Sequence, residues 1–408
     1  MTRNLWYMAF GQGISQVGDR IYLIALMWWT LDKTGSSAIM GLVALCGQIP
    51  VVFLGPIAGY AADVLNRRRI LIVTDVMRGV ITLALSALLV LGRLEVWILL
   101  IATVLLNGAT AFFTPACQAM VPEIVDKPRL PQANALTQFA GDLAGTCGPF
   151  VGGFMYTAMR AAPMFLVNAL SFFAGAWSSF MIKYPRRGHE GGARRFTAAG
   201  VFRDMGRGLA AVVKYPGVKE TFFLIAFLNF FSHSSINLLL PVYVKKALGA
   251  SAALCGVALS AFAVGSTVAI ALQSAIAIGP RVRYILFISC LVVQSLCRTT
   301  LGVVVDPTYT VVVFAVTGFA NSFINIGILT MLQLAIPAEL QGKAFGVIQT
   351  LCWGLTPAAY ALFGILGDIY PTPGLLLWAN AASIVVSLGY LVLPATRRMF
   401  GAERGAAA

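Results

Sequence analysis

The chain is poor in charge and poorest in acid, with 15 Asp and Glu in 408 residues and only 11% charged side chains overall. Soluble domains carry about a quarter charged residues, so this surface is not built to face water. Two histidines and seven cysteines are its whole stock of imidazole and thiolate ligands. The cysteines (Cys46, Cys117, Cys147, Cys255, Cys290, Cys297 and Cys352) stand singly inside apolar runs. Without ligand spacing or a pairing framework, they read as small core residues rather than a metal or disulfide site. No nucleophile–base pair, phosphate loop or metal-ligand cluster is visible, and one of the two histidines, His189, lies in a loop. The chain is therefore expected to be no enzyme and to need no cofactor. Nucleic-acid motifs are missing, as are the alternating segments of about 10 residues that a β-barrel requires.

What is abundant is apolar sequence, at 59% of residues, with a mean hydropathy of +0.84. A helix crosses the hydrocarbon with roughly 20 apolar residues. Twelve such spans are predicted, at residues 5–31, 38–62, 70–91, 97–119, 136–156, 163–182, 221–244, 254–278, 284–305, 309–334, 345–369 and 375–393. The fold class is therefore all-α and membrane-integral. Numbering the connections places 21 basic residues on the side of both termini, including Arg3, Arg67, Arg68, Arg69, Lys127 and Arg129, against five on the other: Lys33, Arg93, Arg160, Lys245 and Lys246. By the positive-inside rule both termini are expected in the cytoplasm. The net charge of +14 is then a topology signal with some attraction to anionic lipid. The first run is too long for a signal core and contains Asp19 and Arg20, so no cleaved leader is expected there.

Between helices 2 and 3 lies GYAADVLNRRR, Gly59 to Arg69, a polar knot in an apolar chain. Gly59 would let helix 2 pack on helix 11, and Asp63 would face the start of helix 11, whose amide ends favour an anion by about 0.3–1 kcal/mol. Arg67 and Arg68 are expected to pair with Asp75 or Glu123. Asp75 and Arg78 lie one turn apart in helix 3 and are expected near the membrane edge, as partners of the arginine run.

The second half echoes the first. Val121-Pro122-Glu123-Ile124 after helix 4 returns as Ile336-Pro337-Ala338-Glu339-Leu340 after helix 10, and Gly145 to Pro149 as Gly354 to Pro357. Residues 1–184 and 220–396 are read as two six-helix bundles, joined by a linker at 185–219 and followed by a tail at 397–408. Such parallel repeats place a transport site between the halves. The linker carries an amphipathic stretch, 201–215, with Val201, Met205, Leu209 and Val212 on one face.

Polar residues within the spans are the candidate cavity. Helix 1 carries Gln12, Gln16 and Asp19 on one face with Arg20 beside it, helix 4 Asn107, and helix 5 Asp142. Helix 7 has the stripe Asn229, His233 and Asn237, and helix 10 has Asn321 and Asn325. Hydrocarbon satisfies none of these groups, so they line a common cavity or bond helices to one another. Asp19 either pairs with Arg20 to fix packing or binds cargo or a proton, and His233 is either a packing residue or a contact in the cavity. Arg298, near the outer end of helix 9, is expected to snorkel. In helix 5, Gly145, Gly148, Pro149, Gly152 and Gly153 make a packing surface for another backbone.

Taken together, the layout resembles the major facilitator superfamily. Gly59, Asp63, Arg67 and Arg68 match that family's signature between helices 2 and 3, while Val64 departs from a usual basic residue. Asn66 replaces a usual Gly, with the left-handed turn expected to survive. SQVGDRIYLIAL, GQIPVVFLGPIAGYAAD, FFTPACQAMVPEIV and IPAELQGKAFGV resemble its macrolide-efflux and siderophore-export branch, and GPFVGG the GPxxGG motif of drug/proton antiporters. The resemblance implies a monomer in the bacterial inner membrane that exports a bulky amphipathic small molecule against proton entry, with the proton gradient as its energy source. Its partners would be that cargo, protons and membrane lipid. The proton carrier should be a buried acid able to load and unload near neutral pH, with Asp19 preferred to Asp142. A lysophospholipid flippase or an importer of the same fold is the alternative, favoured by a lateral opening toward lipid and by transport without a pH gradient.

Overall fold

A computed structural model describes residues 3–125, 129–182, 218–276, 279–335 and 352–392. Apart from short connections these are helical: α1 (Arg3–Thr34), α2 (Ser37–Val64), α3 (Arg67–Val90), α4 (Val96–Ile124), α5 (Leu130–Met159) and α6 (Ala161–Met181). α7 joins Val218–Ser234 through a π-helical turn, Ser235–Leu239, to Leu240–Lys246. Then follow α8 (Ala252–Ala275), α9 (Pro280–Thr300), α10 (Pro307–Ala335), α11 (Thr356–Ile369) and α12 (Thr372–Val392). The amphipathic stretch at 201–215, the loop after α10, the expected start of helix 11 and the tail lie outside the described residues.

Among the described residues, ten helices are long and apolar enough to cross a membrane. α1 and α5 are long enough, but Gln12, Gln16, Asp19 and Arg20 in the one, and Gln138, Asp142 and a run of glycines in the other, lower their hydropathy. Large apolar side chains such as Phe10, Phe53, Trp378 and Val385 are exposed, as lipid-facing helices require.

Two compact units emerge: Met1–Gly35 with Leu42–Val201, and Ser36–Gly41 with Phe202–Ala408. In the first, α1 packs on α5 and α6, and α3 on α4 and α6. In the second, α7 packs on α11 and α12, and α9 on α10 and α12. The second set is the first with six added to each number, so the faint sequence echo corresponds to a repeated packing scheme.

Without a hydrophobic drive between helices in lipid, close approach depends on small residues. A Cβ at Gly148 would collide with Cβ of Arg20 and lie 3.1 Å from its Cγ, and one at Gly152 would lie 3.2 Å from Cα of Ile21. These two glycines therefore set the α1–α5 distance, while Gly145 faces open space. In the second unit Gly265 and Gly318 do the same for α8 and α10, against the carbonyls of Ala315 and Phe262.

The first residues of α2 group with the second unit because Asp368, near the end of α11, caps them. Its carboxylate accepts from Ser36 Oγ, from the Ser37 amide at 2.6 Å and from the Ala38 amide at 3.1 Å. Those amides are otherwise the unbonded donors of a helix start. Lys246 Nζ stands 3.4 Å from the same carboxylate and donates to Ser37 Oγ at 3.1 Å, while Gly41 lies against the carbonyl of Tyr360.

Gly148→Val is expected to cost about 1–3 kcal/mol by overpacking α1 against α5 and to lower the melting temperature in detergent. Gly145→Val, pointing into open space, should leave it nearly unchanged; equal losses would show that Gly148 does not set the spacing.

Candidate functional site

The turn between α2 and α3 is built differently from the expected left-handed turn. Asn66 sits at φ −67°, ψ 108° and is the N-cap of α3, its side-chain oxygen accepting from the Arg69 amide at 3.1 Å. Asn works here as a cap rather than as a substitute for Gly. Arg67 then reaches two helix ends: it donates to Ala62 O and Ala119 O, each at 2.8 Å, and pairs with Glu123 at 2.9 Å. Arg68 donates to the carbonyls of Ser179 and Phe180 and covers the Phe180 ring. The two arginines thus bind the ends of α2, α4 and α6, where carbonyls attract cations. The Asp63 side chain lies outside the described residues, and a Cβ at Gly59 would meet nothing within 4 Å among those described.

Asp75 does not belong to this turn. It is 1% exposed, two helical turns further in, and its carboxylate pairs with Arg78 on the same helix. The expected pairing with the arginine run fails because a side chain at position 75 points to the interior between α3, α4 and α6, away from the helix ends.

Arg78 is the centre of a cluster that reaches Asp19. Its guanidinium lies against the rings of Phe113 and Phe172, 4.2 and 4.4 Å from their centroids, and each ring's π face attracts a cation. Nη2 bonds Asp75 and Nη1 stands 4.0 Å from Asp19 Oδ2, while Nε has no hydrogen-bond partner among the described residues. Asn168 Nδ2 approaches Asp19 Oδ1 at 3.5 Å, and Ser171 Oγ bonds back to Asn168 O and Oδ1 at 2.8 and 3.1 Å. Asp19 keeps 43% of its side chain exposed, against 3% for Arg78 and 1% for Asp75. The glycine before it lets α1 close on α6, for a Cβ at Gly18 would strike Ser171.

The partner expected for Asp19 is therefore corrected. Arg20 is exposed and lies along Gly148 of α5, because successive residues on a helix point about 100° apart. Asn168 and Ser171 were not among the expected residues; their i, i+3 spacing in the apolar run of helix 6 was the available signal.

Other candidates of this unit bond locally. Gln12 is buried, with Nε2 unpartnered among the described residues. Gln16 is half-buried beside Gly141. Asn107 donates to Thr103 O on its own helix at 2.9 Å and faces Gly47 of α2. Asp142 accepts from Gln138 at 3.0 Å, one turn away. An open, almost wholly apolar groove of about 660 Å³ runs along α1, α5 and α6, lined by residues including Trp6, Phe10, Val17 and Phe139, and reaches Gly18 and Ser171. It thus ends one residue from Asp19.

In the second unit Asn229 donates to Cys352 O at 3.0 Å, Asn237 shares a hydrogen bond with Tyr360, and Asn325 donates to Asn321 at 2.7 Å. The His233 side chain lies outside the described residues. It lies two residues before the π-helical turn Ser235–Leu239 that holds Asn237, and single π turns in α-helices recur at functional sites. Arg298 does not snorkel: it is 1% exposed, bonded to Ser232 Oγ and beside the Gln294 amide. Polar partners on α7 and on its own helix hold it inside.

The sequence matches the family described as Major Facilitator Superfamily over residues 8–361. It is 23% identical over 244 residues to macrolide efflux protein A of Streptococcus pyogenes, covering 59% of each chain. To the multidrug efflux pump Tap of Mycolicibacterium fortuitum it is 24% identical, over 94% of this chain and 93% of that protein. To the staphyloferrin A transporter of Staphylococcus aureus it is 24% identical over 62% of each. The match therefore spans about three fifths of the length of the first and third of these. The crystal structure of the nucleoside transporter NupG superposes with a TM-score of 0.72 at 13% identity, over 96% of this chain and 99% of that one. A peptide transporter POT in complex with sulfate gives 0.70 at 14%, over 98% and 96%. At these identities the likeness is one of fold.

Asn66→Ala is expected to destabilise the α3 start by about 1 kcal/mol, read as a lower unfolding midpoint, and Asn66→Asp to restore most of it. Equal loss in both variants would show that the side-chain cap contributes nothing.

Proposed function

The chain belongs to the major facilitator superfamily, and from that premise we propose that it exports a small amphipathic molecule by proton-coupled alternating access. It is a secondary transporter, integral to the membrane, and not an enzyme. Its small-molecule substrate follows from the family. The observation that carries the finer reading is Asp19, a half-exposed carboxylate in the middle of a membrane helix, backed by a buried cation and a second, buried acid. A charge at that depth is costly unless paired or wet and marks ion or proton routes. The names of the relatives, a macrolide efflux protein, a multidrug efflux pump and a staphyloferrin A transporter, support export of a drug-like molecule or siderophore. With the basic residues gathered on one side, both termini lie in the cytoplasm of a bacterium whose inner membrane holds the protein. The arginine-bound turn at Gly59–Arg69, with Asp63, serves as the conformational latch on that side.

A second reading is favoured by the apolar groove on α1, α5 and α6. Such a groove suits an acyl chain, and with it a lysophospholipid entering from the bilayer.

Transport of erythromycin, ethidium, a siderophore and a lysophospholipid by the protein in liposomes, with and without an imposed pH gradient, separates the two. Gradient-driven export of one of the first three is expected, and Asp19→Asn should abolish the response to the gradient. Gradient-independent movement of the lysolipid alone would favour the flippase. Asp63→Asn should lower the transport rate while leaving membrane insertion intact; an unaltered rate would remove the latch.

A further inference from the structure

We propose that Asp19, Arg78 and Asp75 form one charge cluster holding a single exchangeable proton, which enters at Asp19 and is poised there by Asp75 and Arg78. The inference rests on the proton-coupled reading above and deepens it by adding two positioning residues on α3. Two carboxylates share one guanidinium, so the cluster carries one net negative charge when both acids are ionised and none when one is protonated. A proton taken from water by an Asp19 oxygen leaves Arg78 balanced by Asp75 alone.

Geometry assigns the roles. Asp75 and Arg78 are enclosed, with the Phe113 and Phe172 rings against the guanidinium, and exchange nothing with water directly. Asp19 keeps 43% of its side chain exposed. The bond to Asp75 is close, whereas Asp19 stands 4.0 Å from the same guanidinium, beyond hydrogen-bond reach, with one long contact from Asn168 as its other partner. Asp19 is thus the weakly held acid of the pair.

The neighbouring elements bring little competing charge. α1 adds Arg20, whose stem lies along Gly148 and whose charge also acts on Asp19, and the phenol of Tyr22. α4 faces the cluster with Phe113 and the thiol of Cys117. α6 presents the neutral groups Asn168, Ser171, Phe172 and Gly175. Besides Arg20, the charges that act on a proton at Asp19 are the two of α3, and these act in opposite senses. Removing the Asp75 charge turns the whole guanidinium attraction onto ionised Asp19, so the proton leaves at lower pH. Removing the Arg78 charge leaves two acids repelling each other, so it leaves at higher pH.

The test is an infrared pH titration of the full-length protein in lipid nanodiscs, following the carboxylic-acid carbonyl band. A titrating band that is lost in Asp19→Asn is expected. Its midpoint should fall by about one pH unit in Asp75→Asn and rise by a similar amount in Arg78→Gln, the lower end of what a close charge produces. Arg78→Lys should return it toward the wild-type value. A midpoint unmoved in Asp75→Asn, with Arg78→Gln also unmoved where it folds, would overturn the proposal, as would survival of the band in Asp19→Asn. A purely structural role would lower protein yield without moving the midpoint. Ethidium transport in liposomes separates the two levels. Gradient-independent transport beside shifted midpoints would remove the coupling and keep the cluster; gradient-driven transport beside unmoved midpoints would do the reverse.

Discussion

Hydrocarbon offers no hydrogen bonds, and nearly every polar feature of this chain is placed by that constraint. Backbone groups close on themselves in helices. Side chains then have three solutions, all present here. Thr30, Thr74, Thr82, Asn107 and Ser387 bond back to carbonyls of the preceding turn. Arg67, Arg68 and Asp368 gather at helix ends, where unpaired carbonyls or amides await a partner. The remainder, Arg78 with its two acids and Arg298 with Ser232 and Gln294, bring their partners inside with them.

The same absence of water explains why glycine carries so much of the packing. Helices in lipid gain little from burying apolar area against each other, so contact depends on close fit. Gly148 and Gly152 bring α5 onto α1, Gly18 brings α6 onto it from another side, and the cluster lies where α1, α3, α4 and α6 meet. A larger residue at Gly18 would push Asn168 away from Asp19. Helix spacing and polar geometry are one problem here, solved by the same residues.

This is also why some of the site was legible in sequence and some was not. Apolar run length depends on composition alone, so the helices could be read without three-dimensional knowledge, and Asp19 stood out as an acid within such a run. Partner choice depends on which faces of non-adjacent helices meet. Arg20 was the nearest cation in sequence to Asp19, yet the one that approaches it is Arg78, 59 positions away. Arg298 was read as snorkelling from its distance to the span end, but the direction of its side chain toward Ser232 decides. Asn66 was read from its backbone tolerance, while the observed role is the other property of Asn, a short side-chain acceptor for a helix start.

The repeat sharpens where the chemistry sits. Helix pairing in the second unit copies that of the first, but the charges do not follow. Among the described residues the second unit's acids are Glu220, Asp306 and Asp368, all at helix ends or in connections, while Asp19 and Asp75 lie deep within helices of the first. In the second unit Asn321 and Asn325 bond each other on α10, and Arg298, with no carboxylate partner among the described residues, lies buried. A duplicated scaffold needs both copies to keep the glycines and helix lengths, since these set the packing. It needs only one copy to carry an ionisable cluster, because each buried charge costs several kcal/mol unless compensated. The asymmetry of charge among the described residues therefore agrees with the proposed proton site in the first unit, and in the second the interior polar groups described are neutral apart from Arg298.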